Sequence, residues 1–172
     1  IKPTTTSAAA SYVFVWKQLL LTLDEYFYTC WYYVPSTITP GDWWHIAQWK
    51  ATYDGNTNNS TRTIALGVEK NAAGQKVLYL SHRPKAESSV KYAYSSSVPV
   101  PLDKWFCLQT QYKKSQTSGK VIVWQDGIEI FNLQNIQTTY TDNNLQWSPC
   151  SYAEKSTPSP CTIWVANMKI EK

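Results

Sequence analysis

Charged residues and long apolar runs are both scarce in this sequence. Only 16% of the 172 residues are charged, and the formal net charge is +4 with the basic residues scattered along the chain. Such a weak and dispersed positive charge argues against binding to nucleic acid. No apolar run approaches the roughly 20 residues that a membrane span requires. The sequence therefore predicts a globular chain that does not bind nucleic acid and has no membrane span.

The N-terminal segment IKPTTTSAAAS also lacks the apolar core of a signal peptide, so we expect a mature or trimmed N-terminus. We expect residues 1–10 to form a linker or tail. Residues 11–172 are expected to form one domain, which is long enough to bury a substantial core.

No long segment repeats its apolar residues with the 3.6-residue period of a helix. Short alternating or fully apolar segments follow one another instead, separated by turn residues, and this spacing is typical of an all-β sandwich. Residues 133–148 are polar and are expected to be irregular. The predicted strands are 11–18, 25–34, 43–51, 62–70, 75–82, 90–94, 105–113, 121–125, 128–131 and 162–170.

The pair Asp126-Gly127 predicts a tight hairpin between two of these strands. Both residues tolerate the positive φ angles of a type I′ turn. A two-residue turn would place Trp124 opposite Glu129 and Val123 opposite Ile130.

Two stretches of sequence carry a resemblance to a known family. The pattern from Trp105 and Gln109 through GKVIVWQDG at 119–127, together with YFYTCWYYVPSTITPGDWWHIAQWK at 26–50, resembles concanavalin A-like lectin/glucanase jelly rolls. The polysaccharide-lyase-like and laminin-G-like members are the nearest. The resemblance implies an antiparallel β-sandwich of the jelly-roll type. A structural Ca²⁺ is common in this superfamily, but Val165-Ala166-Asn167 replaces the usual aspartate stretch, so the resemblance implies that the calcium site is lost or weakened, and we expect no cofactor.

The four cysteines favour a secreted protein with one or two disulfides. Cys150 and Cys161 flank a Pro/Ser-rich loop and are predicted to form one of them. Cys30 and Cys107 could pair across neighbouring strands or remain thiols. No His or Cys spacing predicts a metal site.

The main functional prediction is a secreted, extracellular domain that binds a polysaccharide, alone or within a larger protein. Aromatic rings stack on sugar rings, and amides and charges bind the hydroxyl groups. Tyr53 and Arg62 are expected to line the rim of a concave sheet face. The residues expected on that face are Trp44, Gln48, Lys50, Gln109, Gln111 and Lys113.

The alternative is a polysaccharide lyase that cleaves a uronate polymer by β-elimination. That reaction needs a base and a group that neutralises the uronate carboxylate. The candidates are His45, Gln48, Lys50 and Tyr112, although simple alternation places His45 on the opposite face from Gln48 and Lys50. The Arg-rich strand of alginate lyases is missing, and only Lys17, Arg62 and Arg83 could replace it.

The sequence bears on two other classes of function. Ordinary glycoside hydrolysis is disfavoured because the paired carboxylates of glucanases are absent. A structural, adhesive or self-assembling surface protein remains a third possibility, since charge is low and aromatic residues make up 15% of the chain.

Overall fold

The computed structural model describes residues 24–52, 60–84, 92–140 and 145–172, together with the backbone of three short strands nearer the N-terminus. All of its regular structure is β-strand. In chain order the strands are β1 Thr4–Thr5, β2 Ser11–Phe14, β3 Lys17–Leu19, β4 Glu25–Tyr33, β5 Trp43–Thr52, β6 Ser60–Lys70, β7 Lys76–His82, β8 Tyr92–Pro99, β9 Trp105–Lys113, β10 Gly119–Gln125, β11 Ile128–Ile136, β12 Leu145–Glu154, β13 Cys161–Thr162 and β14 Trp164–Glu171.

The strands form two large antiparallel sheets that pack face to face. The first has five strands in the order β11-β10-β9-β4-β14, and the second has the order β2-β12-β5-β6-β7-β8 with β3 also paired to β12. The small pair β1 and β13 completes the structure. This arrangement confirms the predicted all-β jelly-roll sandwich.

Alternating burial along β4 and β9 explains why these segments fold as strands. In β4 the side chains of Tyr26, Tyr28, Cys30 and Tyr32 point into the core, while the residues between them point outward. The Tyr28 ring packs edge-on against Trp49 of the opposite sheet at a centroid distance of 5.6 Å. Apolar burial of this kind between two sheets is the main source of stability in a sandwich.

A polar contact also joins the two sheets inside the core. The hydroxyls of Tyr112 in β9 and Thr63 in β6 lie 2.8 Å apart, and the Tyr112 hydroxyl also donates to the Thr138 carbonyl at 2.5 Å. Tyr112 is fully buried, and burial holds its pKa well above the ordinary range. Tyr112 therefore faces the core, and its proposed role as a catalytic base was wrong.

The predicted hairpin is confirmed, but part of its register differs. Asp126 and Gly127 adopt φ values of 49° and 82°, as a type I′ turn requires. Trp124 lies opposite Glu129, as predicted, whereas a β-bulge between Val123 and Trp124 places Val123 opposite Phe131 rather than Ile130. The bulge turns Val123 and Phe131 together into the core.

Several strand predictions needed correction. Part of the segment 133–148 that was expected to be irregular is strand, because β11 extends to Ile136 and β12 begins at Leu145. Of the predicted strand 11–18, residues 11–14 lie in β2 and residues 17–18 lie in β3. β8 extends to Pro99, beyond the predicted strand 90–94.

The predicted disulfide between Cys150 and Cys161 was also wrong. Cys150 and Cys161 are both buried free thiols rather than a disulfide, and Cys30 and Cys107 are free as well. Cys30 points into the core, whereas Cys107 follows the outward alternation of β9.

The part of the chain that the structure describes contains no helix of the length and apolarity needed to cross a membrane.

Candidate active site

A β-bulge in β5 determines which of its side chains reach the outer face of the seven-stranded sheet. His45 pairs with Gly67 of β6, and Ala47 pairs with the next residue, Leu66, so Ile46 is the extra residue. Ile46 and Ala47 both point into the core. The alternation therefore shifts by one residue, and His45 and Gln48 share the outer face. This corrects the prediction that His45 lies on the opposite face from Gln48.

The bulge brings these two side chains into contact. The amide nitrogen Nε2 of Gln48 lies 3.0 Å from Nδ1 of His45, and both residues are buried. Since an amide nitrogen only donates, Nδ1 accepts and the imidazole proton is held on Nε2. Gln48 thus fixes both the orientation and the tautomer of His45.

Two tyrosines flank His45 on the same face. Tyr152 of β12 is directly opposite His45 in the strand pairing, and their ring centroids are 6.0 Å apart. Tyr79 of β7 lies on the other side at 5.8 Å. Tyr79 is buried, and burial raises its pKa to about 12, whereas Tyr152 is only half-buried. Tyr152 is therefore the more accessible phenol.

Gly67 makes room for the Tyr79 ring. A Cβ on Gly67 would collide with that ring and with the backbone oxygen of Trp44. The absence of a side chain at this position lets Tyr79 lie across β6 towards His45.

One end of the site is basic. Lys50 and Arg62 are cross-strand partners, and burial lowers the pKa of each. The charge of Arg83 lowers the Arg62 pKa further, so the two guanidinium groups lie within electrostatic reach. The Nε atoms of Arg62 and Arg83 are buried without a hydrogen-bond partner, and neither arginine forms an ion pair within the described ranges. Such a pair of guanidinium groups favours an anionic ligand.

An open groove of about 770 Å³ connects these groups, and its lining includes His45, Tyr79, Tyr152 and Arg62. Trp43 forms part of the wall, with its ring 4.4 Å from Tyr152 and its Nε1 donating to Glu154 Oε2 at 2.7 Å. Asp42, Glu69 and Lys70 line the groove as well. The groove is thus open, polar and partly aromatic, which suits a sugar chain.

The sequence matches a known protein family over most of its length. A protein-family profile described as "Polysaccharide lyase" matches residues 18–169, which is most of the chain. The chain belongs to the polysaccharide lyase family. No curated protein matches this family member significantly in sequence.

Solved structures agree with this family at the level of fold. An endo-β-1,4-glucuronan lyase from the fungus Trichoderma reesei superposes with a TM-score of 0.72 at 18% identity, covering 99% of this chain and 79% of that one. Alginate lyase Aly36B bound to an alginate trisaccharide gives 0.64 at 12% identity, with coverages of 100% and 80%. An alginate lyase from a Chlorella virus gives 0.63 at 8%, with coverages of 99% and 84%.

The predicted site residues of this lyase-family chain other than Tyr112 divide into four groups. Gln48, Lys50 and Arg62 lie together with His45 on the outer face of the seven-stranded sheet. Trp44 is fully buried in the core, so its proposed contact with sugar was wrong, and Trp43 occupies the groove wall instead. Tyr53 lies outside the described residues. Gln109, Gln111 and Lys113 belong to β9 in the five-stranded sheet, so they cannot share a face with Gln48.

Sequence reasoning missed Tyr152 and Tyr79. Tyr152 lies in a strand that was not predicted, because Pro149 and the polar residues around it resemble a loop. Tyr79 was included in a predicted strand, and its alternation with the core residues Leu78 and Leu80 is the signal that could have revealed it.

The residues that the structure describes contain no group of three His, Cys, Asp or Glu side chains that could hold a metal ion.

Proposed function

We propose that this protein is a polysaccharide lyase that cleaves a uronate-containing polymer by β-elimination in the groove. The observation that carries the proposal is the pairing of His45 with Tyr152 in a groove that Arg62 also lines, with the Nε of Arg62 lacking a hydrogen-bond partner. Membership of the family supports the same class of reaction.

The reaction moves one proton and breaks two bonds. The C5–H bond of a uronate breaks, its electron pair forms the C4=C5 double bond, and the C4–O4 glycosidic bond breaks. The leaving O4 oxygen receives a proton. The C5 proton is acidic enough only when the adjacent carboxylate charge is neutralised, so the site needs a cationic or hydrogen-bonding partner as well as a proton carrier.

Arg62 supplies the neutralising charge in this proposal. Its Nε lacks a partner, it lines the groove, and Lys50 is its cross-strand neighbour. A uronate carboxylate placed here would accept charge-assisted hydrogen bonds in a partly buried site, where such bonds are stronger than in water.

Tyr152 is the proton carrier. It is half-buried in the groove wall and lies opposite His45, so its side-chain oxygen is accessible to the substrate. In its deprotonated form this oxygen takes the C5 proton, and the phenol formed in that step returns the proton to O4. His45, with its proton held on Nε2 by Gln48, acts as a hydrogen-bond donor in the groove rather than as the base. Tyr79 stays protonated because its pKa is raised, and it forms the opposite wall.

The test is a polymer screen that follows the ultraviolet absorbance of the unsaturated uronate product. Purified protein is incubated with glucuronan, alginate and pectin, with cellulose and xylan as polymers of lower or no uronate content. We expect absorbance to grow with at least one uronate polymer and not with cellulose. Retention on a polymer without any absorbance change would contradict lyase activity and favour a binding domain.

Esterified substrate provides a matched control for the role of Arg62. Methyl esterification removes the carboxylate charge, so Arg62→Gln should impair cleavage of the acid polymer more than cleavage of its ester. Equal impairment of both substrates would contradict the proposed contact between Arg62 and the carboxylate.

A further inference from the structure

A row of aromatic side chains crosses the outer face of the other, five-stranded sheet. Trp164, Tyr33 and Trp105 are direct neighbours on β14, β4 and β9. Tyr33 contacts Trp164 edge-on at 5.3 Å and Trp105 at 5.9 Å. Trp31 lies two residues before Tyr33 and therefore on the same face. Trp105 and Trp31 remain 45% and 37% exposed, which is unusual for such large apolar side chains.

A shallow cleft opens between two of these rings. Its volume is about 320 Å³, and its lining consists of Trp31, Trp105, Ala166 and Asn167. We call these four residues the aromatic cleft. A β-bulge between Ala166 and Lys169 interrupts the pairing of β14, and Asn167 adopts a φ of 50° within it. The bulge thus places a small residue and an exposed amide between two exposed indole rings, and the volume falls within the range of small-ligand sites.

Amides and lysines continue from the aromatic cleft along the same face. Gln109, Gln111 and Lys113 follow Trp105 at every second position of β9, and all are at least partly exposed. Gln111 donates to Glu25 at 2.6 Å, and Lys120 pairs with the same carboxylate at 2.6 Å. The Glu25 charge is therefore neutralised.

The remaining charges on this side are mixed in sign. Lys113 and the exposed Lys169 form no ion pair among the described residues. Lys169 lies just beyond the bulge that forms the aromatic cleft. The exposed carboxylates of Glu129 and Glu171 lie on the same face, because the strand pairing aligns them with Gln109 and Gln111. Lys113 and Lys169 can therefore bind a carboxylate as single cations, while the aromatic rings and amides supply the rest of the contact with a sugar chain.

We propose that the aromatic cleft and the adjoining side chains of β9 form a second, non-catalytic binding surface for the uronate polysaccharide. The two indole rings stack on pyranose rings, the Asn167 and Gln109 amides bind hydroxyl groups, and Lys113 and Lys169 attract carboxylates. The proposal rests on the proposed function, because the ligand is the polymer that the groove cleaves. The second surface lies on the opposite side of the sandwich from the groove. A long polymer chain bound to this surface would therefore raise the effective concentration of substrate at the groove.

A polysaccharide fits this surface better than a folded protein partner does. The cleft has four lining residues, whereas a stable protein interface uses roughly 20–30 residues on each side. The pattern of exposed indoles separated by amides matches the requirements of a sugar chain, which offers alternating apolar faces and hydroxyl edges.

The experiment compares the wild type with the double variant Trp31→Ala/Trp105→Ala. Affinity electrophoresis in gels containing glucuronan or alginate measures retention by the polymer. Cleavage rates are measured on the same polymers and on a trisaccharide or tetrasaccharide, which is too short to bridge the two faces. Tyr94→Ala is the matched control, because Tyr94 is an aromatic residue of similar exposure, 39%, on β8 of the other sheet.

We expect the double variant to bind polymer roughly tenfold more weakly, as the loss of two stacking contacts implies, while kcat/KM on the short oligosaccharide is unchanged. Tyr94→Ala should behave like the wild type. Unchanged retention of the double variant would overturn the proposal. A second result would also overturn the proposal. If light scattering detects a concentration-dependent dimer of the wild type, and the double variant loses the dimer but keeps its retention by the polymer, the surface is an interface between copies of the chain.

The outcome is separable from that of the proposed function. If the wild type cleaves no uronate polymer but is retained through Trp31 and Trp105, lyase activity fails and the second surface stands. If cleavage occurs and retention does not depend on the two tryptophans, lyase activity stands and the second surface fails.

Discussion

Tyr152 lies directly opposite His45 in two antiparallel strands, with ring centroids 6.0 Å apart. Two irregularities produce this arrangement. One is the bulge at Ile46 in β5, and the other is a shift in pairing between Pro149 and Tyr152 in β12. Regular strands would have rotated one of the two rings into the core, so the proposed chemistry depends on these interruptions of the sheet.

Tyr152→Phe tests the proton carrier. Removing the phenol oxygen eliminates the group that takes the C5 proton, so we expect kcat to fall by about 10²–10⁴-fold. Polymer retention should persist because the ring remains. Tyr79→Phe is the matched control, since Tyr79 flanks His45 from the other side but is buried with a raised pKa. A larger loss of kcat in Tyr79→Phe than in Tyr152→Phe would show that Tyr79, and not Tyr152, carries the proton.

Gln48→Glu tests the tautomer of His45 without changing the shape of the side chain. The carboxylate can only accept, so Nδ1 of His45 must donate, and in the neutral imidazole Nε2 then carries no proton. We expect kcat to fall by about 10–100-fold, because a donor in the groove becomes an acceptor. Gln48→Ala removes the contact without imposing the opposite tautomer. If Gln48→Glu is as active as the wild type, the position of the proton on His45 does not affect catalysis.

The extent to which the sequence predicts this site can be traced to single residues. Alternating apolar residues predicted β4, β5 and β9, and Asp126-Gly127 predicted the hairpin, because these signals are local. No residue pattern around Ile46 predicts the β-bulge. It forms because Ile46 and Ala47 both fit the core of the assembled sandwich. Strict alternation therefore predicts that Trp44 points outward with Gln48 and that His45 points into the core. In the structure Trp44 points into the core and His45 lines the groove.

The same limit explains the errors at Tyr112 and in β12. Tyr112 was assigned to the site from its residue type, but the direction of its side chain follows from the pairing of β9 within the five-stranded sheet. β12 contains Pro149, which disfavours a central strand, and the structure accommodates it where the pairing with β5 shifts. Neither outcome can be derived without knowing which strands are neighbours.

Tyr112→Phe separates structural stability from catalysis. The variant removes a hydroxyl that contacts Thr63 at 2.8 Å and donates to the Thr138 carbonyl at 2.5 Å, and it leaves that carbonyl without this donor in the core. We expect the free energy of unfolding to fall by about 1–3 kcal/mol, measured by denaturant titration. Turnover per folded molecule should remain that of the wild type. A loss of turnover without a loss of stability would restore Tyr112 as a catalytic candidate.

His82 makes the stability of the fold depend on pH. Burial lowers its pKa below the ordinary value of 6.5, and the hydrogen bond between its Nε2 and the Gln137 carbonyl at 2.7 Å opposes this only in part. As pH falls through 6.5, the unfolded chain takes up a proton that the folded chain still excludes. Stability is therefore present at neutral pH and is lost as pH decreases from about 6.5 to the folded-state value.

His82→Gln measures this contribution directly, because an amide can still donate to the Gln137 carbonyl but does not titrate. Melting temperatures are recorded for both proteins between neutral and mildly acidic pH. The wild type should lose more thermal stability than the variant over this range, since the carboxylates titrate in both proteins and their effect cancels in the difference. Parallel curves would mean that His82 has the same pKa in the folded and unfolded chains, and a steeper curve for the variant would reverse the sign of the shift.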